Sequence, residues 1–186
     1  MEIKGTGIKT IPEFIKLRHS DLYNNWTNIL PEKSKFIMTN PIFPTSWYPI
    51  VDSLIIPTMK LGELIGSEVE AARLLGEYSA EVSLSGVYKI FIRVSSPGFV
   101  LSRSSTVINS YYKGADIKII EKTDESAVME FVGITPDLLL IMHRISGWIY
   151  KTIEITGFNL ISLNIEKGDN YNTIWPVIFV KWEKKQ

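Results

Sequence analysis

The sequence contains no cysteine among its 186 residues. Disulfide bonds, thiolate metal ligands, thiol nucleophiles and S-acylation are therefore excluded. A chain of this length can bury roughly 70% of the surface that its unfolded form exposes, so it needs no crosslink or metal in order to fold. We expect one domain over residues 1–186.

The sequence also lacks an excess of charge of either sign. Twenty lysine and arginine residues balance twenty aspartate and glutamate residues. The one dense basic run, Lys181–Lys185, is typical of a solvated chain end. Because a protein that binds nucleic acid usually carries a clustered basic face, no nucleic-acid partner is predicted.

Long hydrophobic runs are missing as well. The most apolar window, Leu138–Met142, is far shorter than the roughly 18 residues of a membrane-spanning helix, so no membrane partner is predicted. The first residues, Met1–Gly5, have no apolar core of signal-peptide length. We therefore expect a cytoplasmic protein.

The N-terminal half, about residues 1–114, has apolar residues at helical spacing. Helices are predicted from Pro12 to about Leu30, with a break at 17–20, and again from Pro49 onward. Ser67 is predicted to cap a further helix that ends at Gly86. Between them, Glu32–Pro49 contains three prolines that disfavour helical geometry in the preceding residue, which predicts a long loop.

The C-terminal half changes to a period of two residues. Ala127, Met129 and Phe131 share one face of a predicted hairpin, whose first strand contains Ile117 and Ile119. A long helix is predicted from the cap at 135–137 to Gly157. A second hairpin is predicted from strands at 160–166, with Ile161 on its apolar face, and 173–182.

The sequence therefore predicts an α+β fold. A helical subdomain, about 1–114, packs on a four-stranded antiparallel sheet with β-β-α-β-β order in about 115–182.

Several short motifs in this order are similar to those of a known superfamily. They are Leu75-Gly76, Phe91-Ile92-Arg93, Tyr111-Tyr112-Lys113-Gly114, Gly147-Trp148, Gly168-Asp169 and Trp182. With them, the chain resembles the H-NOX (haem nitric-oxide/oxygen binding) and 4-vinyl reductase superfamily, which also includes trafficking-complex subunits. The resemblance is greatest to bacterial members, of the kind common in myxobacteria, that lack the haem motif.

The resemblance implies a haem site that this sequence does not supply. H-NOX proteins hold the iron through a histidine, which would fall near Phe99–Ser105, where there is none. Their Tyr-x-Ser-x-Arg motif binds the propionates, but the corresponding segment here is Phe131–Thr135. The 4-vinyl reductase relatives use cysteines, which are absent. We therefore expect no haem and no metal cofactor.

Candidate site residues are an arginine and a group of aromatic side chains. Arg93 lies in an otherwise apolar run and would bind an anion or, equally, helix carbonyls or Glu77. Aromatic side chains could line a cavity between the helices and the sheet, although such side chains usually belong to the core. The predicted ligand-binding residues are Trp47, Tyr48, Tyr88, Arg93, Tyr112 and Trp148.

No catalytic residue is predicted. His143 lacks an orienting carboxylate nearby, and His19 lies at the predicted helix break. The leading hypothesis is a non-catalytic sensory domain that binds a small apolar or anionic ligand. The alternatives are a dimerising protein-interaction module whose core is filled by side chains, and an enzyme of unknown type.

Overall fold

The computed structural model describes residues 1–84 and 95–185. Two candidate site residues, Tyr88 and Arg93, lie outside the described residues, as does the predicted helix end at Gly86. The architecture is α+β, as the sequence predicts, with helices in the N-terminal half and a four-stranded sheet in the C-terminal half.

Helices form most of the described N-terminal half. They are α1 (Gly5–Arg18), α2 (Tyr23–Ile29), α3 (Glu32–Thr39), a π-helical turn (Val51–Ile55) continuing into α4 (Ile56–Ile65), α5 (Glu68–Ser83), α6 (Pro97–Leu101) and α7 (Ser104–Tyr111). The cap at Ser67 is confirmed, since its hydroxyl accepts a hydrogen bond from the Glu70 amide at 3.2 Å.

Two predictions in this half are wrong. The first helix begins at Gly5, so Pro12 lies within it rather than at its start. The predicted loop from Glu32 contains α3, because the prolines that disfavour a helix all lie beyond its end at Thr39. The predicted break at 17–20 is confirmed by the end of α1.

A small sheet joins three distant parts of the chain. Strand β1 (Glu2–Lys4) pairs antiparallel with both β2 (Trp47–Pro49) and β3 (Tyr112–Lys113). Ile3, which is buried, lies opposite one residue of each neighbouring strand. This sheet therefore fixes the start of α1 beside the end of α7.

The larger sheet has the order β4-β5-β7-β6 and is antiparallel throughout. Its strands are β4 (Asp116–Lys122), β5 (Ser126–Val132), β6 (Phe158–Glu166) and β7 (Val177–Lys184). The predicted inner face of β5 is confirmed, because Ala127, Met129 and Phe131 are all buried. The two hairpins thus meet along β5 and β7.

The long helix α8 (Leu139–Ile155) is the central helix of the C-terminal half. A 3-10 turn (Pro136–Leu138) precedes it, and the Thr135 side chain makes no capping hydrogen bond, so the predicted cap is wrong. The helix ends as predicted at Gly157, whose φ of 82° is in the left-handed region. Ile141, Ile149 and Ile153 on its apolar stripe are buried.

The two Gly-containing motifs at 75–76 and 147–148 meet where α5 crosses α8. A Cβ atom on Gly76 would overlap the carbonyl group of Arg144, and a Cβ atom on Gly147 would overlap that of Arg73. Each helix therefore presents a glycine to the backbone of the other. This close approach fixes the position of Arg144 relative to α5.

A β-bulge changes one further prediction. The pairing of β6 with β7 shifts its register between Leu160 and Ser162. Because one extra residue reverses the direction of the side chains, Ile161 is exposed while Leu160 packs against the core. The predicted apolar face of β6 is therefore wrong at Ile161.

Candidate functional site

A cavity lies between the helices and the inner face of the larger sheet. Its volume is about 60 Å³. From the helical half it is lined by Gly7, Gly76, Ser79, Val100, Leu101, Ser104, Val107, Ile108, Tyr111 and Tyr112. From the sheet and α8 it is lined by Ile117, Met129, Arg144, Ile145, Trp148 and Ile149. The wall is mostly aliphatic, with a few polar groups, which is the usual composition of a small-molecule site.

Arg144 is the charged side chain of this cavity. It is only 4% exposed, yet none of the ion pairs found among residues 1–84 and 95–185 includes it. Its Nη2 atom donates hydrogen bonds to the Gly7 carbonyl oxygen at 2.7 Å and to Thr10 Oγ1 at 3.0 Å. Its buried Nη1 atom has no hydrogen-bond partner. Nη2 thus has two neutral partners and Nη1 has none, while the Tyr112 hydroxyl also interacts with the guanidinium group.

Burial changes the acidity of the polar groups around this guanidinium. Loss of solvation lowers the pKa of Arg144, and the neighbouring Tyr112 and Tyr111 hydroxyls oppose that change. Burial raises the pKa of Tyr112 and of Tyr111, while the charge of Arg144 acts in the opposite direction on both. Both phenols therefore remain neutral hydrogen-bonding groups near neutral pH.

Two of the predicted site residues, Tyr112 and Trp148, line the cavity. Tyr112 is the buried residue of β3. Trp148 follows Arg144 by one helical turn, and its indole N–H points to Ser83 Oγ at 3.4 Å. Both side chains therefore line the cavity at the helix–sheet interface that the sequence indicated.

Two other predicted site residues lie at the small sheet. The Trp47 ring lies beneath the ammonium groups of Lys4 and Lys113, at 5.7 and 4.4 Å from its centroid. The Tyr48 hydroxyl accepts a hydrogen bond from the Phe43 amide at 2.9 Å. Neither Trp47 nor Tyr48 is among the described residues that line the cavity.

Arg144 was not among the predicted ligand-binding residues. A signal was nevertheless present, because position 144 is three residues after Ile141 and four before Trp148, and so lies on the apolar stripe of α8. A charge on such a stripe is rare and usually has a partner or a function. The partner atoms here come from α1, some 134 residues away, which no local pattern could have indicated.

The solved structures that this chain resembles include H-NOX proteins. The H-NOX protein of K. algicida, in the Fe(II) unliganded form, has a TM-score of 0.75 and 13% identity, with 98% of each chain covered. The S. oneidensis H-NOX protein in the Fe(II)NO state has a TM-score of 0.69 and 8% identity, covering 98% of this chain and 100% of that one. An oxygen-binding H-NOX domain related to soluble guanylate cyclases has a TM-score of 0.57 and 16% identity, covering 98% and 93%. At such identities, the likeness shows a shared fold.

Sequence comparisons add little to this likeness. No family model matches the chain. The polyribonucleotide nucleotidyltransferase of Gluconacetobacter diazotrophicus is 24% identical over 164 residues, which are 83% of this chain. The chain spans about a fifth (22%) of the length of that enzyme. So short an overlap at this identity does not transfer the enzyme's activity.

The described residues that line the cavity lack the histidine ligand of an H-NOX haem site. Val100, Leu101 and Ser104 line the cavity from the segment where the resemblance places the axial histidine, and none of them is a ligand for iron. The two histidines of the chain, His19 and His143, are not among the lining residues.

The residues that the structure describes contain neither a metal-binding cluster nor a membrane-spanning helix. No three histidine, aspartate or glutamate side chains within 1–84 and 95–185 are grouped closely enough to hold a metal ion. Among the helices described, none combines the length and the apolar character needed to cross a membrane.

Proposed function

We propose that this chain is a non-catalytic sensory domain with the H-NOX fold, which binds a small ligand in the cavity at the helix–sheet interface and does so without haem. The observation that carries the proposal is the cavity itself. It combines an aliphatic wall with a buried arginine and two tyrosines, and pockets of this composition commonly bind small molecules.

The position of the cavity supports a sensory role. Its wall includes Tyr112 from the small sheet, Met129 from the larger sheet and Ile149 from α8. A ligand in contact with all three elements would change the packing of the helical half on the sheet. Binding energy would thereby be coupled to the relative position of these elements.

The even balance of charge supports a small-molecule ligand rather than nucleic acid. We also propose a cytoplasmic location. The alternative of a dimerising module predicts instead that the cavity is closed by side-chain packing in solution and holds no ligand.

Native mass spectrometry of protein purified from its own cytoplasm tests the proposal. We expect a small added mass in the native spectrum that is absent after denaturation. Ile149→Phe should abolish the added mass, because Ile149 is buried and its larger replacement would fill the cavity. Ile161→Phe is the matched control, since the same change at this exposed position should leave the ligand bound.

Two results would contradict the proposal. A dimer without added mass, from protein with a native circular dichroism spectrum, would favour the interaction module. A Soret band that forms on addition of haem and survives gel filtration would refute the absence of a haem site.

A further inference from the structure

We infer that the cavity selects a small monocarboxylate with a short aliphatic tail, whose carboxylate oxygen accepts a hydrogen bond from Nη1 of Arg144. This inference rests on the proposed function and specifies the chemical class of its ligand.

The Nη1 atom of Arg144 has no hydrogen-bond acceptor. A guanidinium group has five N–H donors in a fixed planar arrangement. The two acceptors on α1, the Gly7 carbonyl and the Thr10 hydroxyl, both serve Nη2. Nη1 retains its two N–H groups without an acceptor, although it is buried. The structure therefore has an unused, pre-positioned pair of donors on a side chain that lines the cavity.

The positive charge of Arg144 lacks a counter-charge among the described residues. A buried cation is costly unless a nearby anion or several hydrogen bonds compensate for the lost hydration. Arg144 has no carboxylate partner in the part of the chain that the structure describes. The Tyr111 and Tyr112 hydroxyls beside it are neutral. A ligand that carries one negative charge would supply the missing counter-charge.

The composition of the wall limits the ligand to one charge. Besides Arg144, the polar side chains among the described lining residues are two serines and two tyrosines, all neutral, and the remainder are aliphatic or aromatic residues and glycine. A doubly charged phosphate monoester would bring more charge and more acceptors than this wall can satisfy. A carboxylate brings one charge, and its two oxygens suit the planar geometry of a guanidinium group.

The volume and the aliphatic wall specify the tail. A cavity needs roughly 10–15 Å³ to hold one water molecule. A cavity of about 60 Å³ therefore has room for about four or five non-hydrogen atoms. Propanoate has five. Its two carbons beyond the carboxylate would contact aliphatic side chains such as Ile145 and Ile149, which gain from the exclusion of water.

Isothermal titration calorimetry with sodium propanoate and with propanamide tests this inference on the full chain. The amide has the same shape and lacks the charge, so we expect it to bind at least tenfold more weakly. Arg144→Met should reduce propanoate affinity at least tenfold, and Arg144→Lys should reduce it less because the charge remains. Arg18→Met is the control, because it makes the same chemical change at an exposed arginine.

The outcomes separate this inference from the proposed function. Equal binding of propanoate and propanamide, unaffected by Arg144→Met, would overturn the inference and leave a neutral-ligand cavity in place. Absence of propanoate binding to the wild-type chain would also overturn the inference. Only if native mass spectrometry likewise finds no ligand does the proposed function fail as well. The amide comparison needs no variant, so the test does not depend on the folding of Arg144→Met.

Discussion

Replacement of Arg144 by methionine should leave the ligand-free protein as stable as before or make it more stable. Burying a guanidinium group costs several kcal/mol. Each of the two hydrogen bonds donated by Nη2 stabilises the folded protein by about 1.5–3 kcal/mol, and the unpaired Nη1 destabilises it by about 1–3 kcal/mol. These terms nearly cancel, so the charged side chain contributes little net stability without a ligand.

Methionine at this position would fill much of the same space without the cost of desolvation. After the substitution the Thr10 hydroxyl still donates to the Gly7 carbonyl at 2.8 Å, whereas the Tyr112 hydroxyl loses its interaction with Arg144. We therefore expect the free energy of unfolding to stay the same or to rise by up to about 3 kcal/mol, as in other replacements of buried charges by apolar residues.

Urea unfolding of ligand-free protein, followed by circular dichroism, measures this difference. A ligand-binding arginine gives unchanged or higher stability together with loss of carboxylate binding. A fall of more than about 2 kcal/mol would refute the reasoning, because it would show that the hydrogen bonds to α1 fully compensate the buried charge. Arg144 would then be a structural residue.

Three further changes test other parts of the structure. Gly76→Ala or Gly147→Ala should destabilise the protein by about 1–3 kcal/mol in urea unfolding, because the added methyl group overlaps the facing backbone and outweighs the gain in helix propensity; equal or higher stability would contradict the close crossing. Burial raises the pKa of Tyr112, so above about pH 10 the unfolded state loses the tyrosine proton first and stability falls as pH rises; Tyr112→Phe should reduce this loss between pH 8 and 10.5, and an identical pH dependence would contradict it. Trp26→Phe should lower the free energy of unfolding by about 1–3 kcal/mol, because it removes the buried hydrogen bond from the indole N–H to the Pro57 carbonyl; thermal unfolding at an unchanged midpoint would contradict this.

The features that the sequence predicted correctly are those set by local periodicity. Alternation along β5 identified Ala127, Met129 and Phe131 as a buried face, and the α8 stripe identified its core positions. Both patterns reflect one element packing on one layer, so a few neighbouring residues contain the information.

The features that it missed depend on distant partners. Each strand of the small sheet has only two or three residues, which is too short for an alternation pattern, and each forms because the others are present. The exposure of Ile161 likewise follows from a bulge that the pairing with β7 defines.

The candidate site shows the same division. Tyr112 and Trp148 could be predicted as cavity residues because they are aromatic and lie at the junction of helices and sheet. Trp47 and Tyr48 are also aromatic, but β2 places them outside the described lining of the cavity. The hydrogen bonding of Arg144, including its unpaired Nη1, could not be predicted because it depends on how α1 and α8 lie together in the folded chain.

A high-resolution crystal structure of the protein grown with propanoate tests the central claim most directly. We expect a carboxylate oxygen of propanoate to lie within hydrogen-bond distance, about 3 Å, of Nη1 of Arg144. The ethyl group of propanoate should contact Ile145 and Ile149. A cavity filled only by side chains or water, with Nη1 bonded to a protein acceptor, would contradict it.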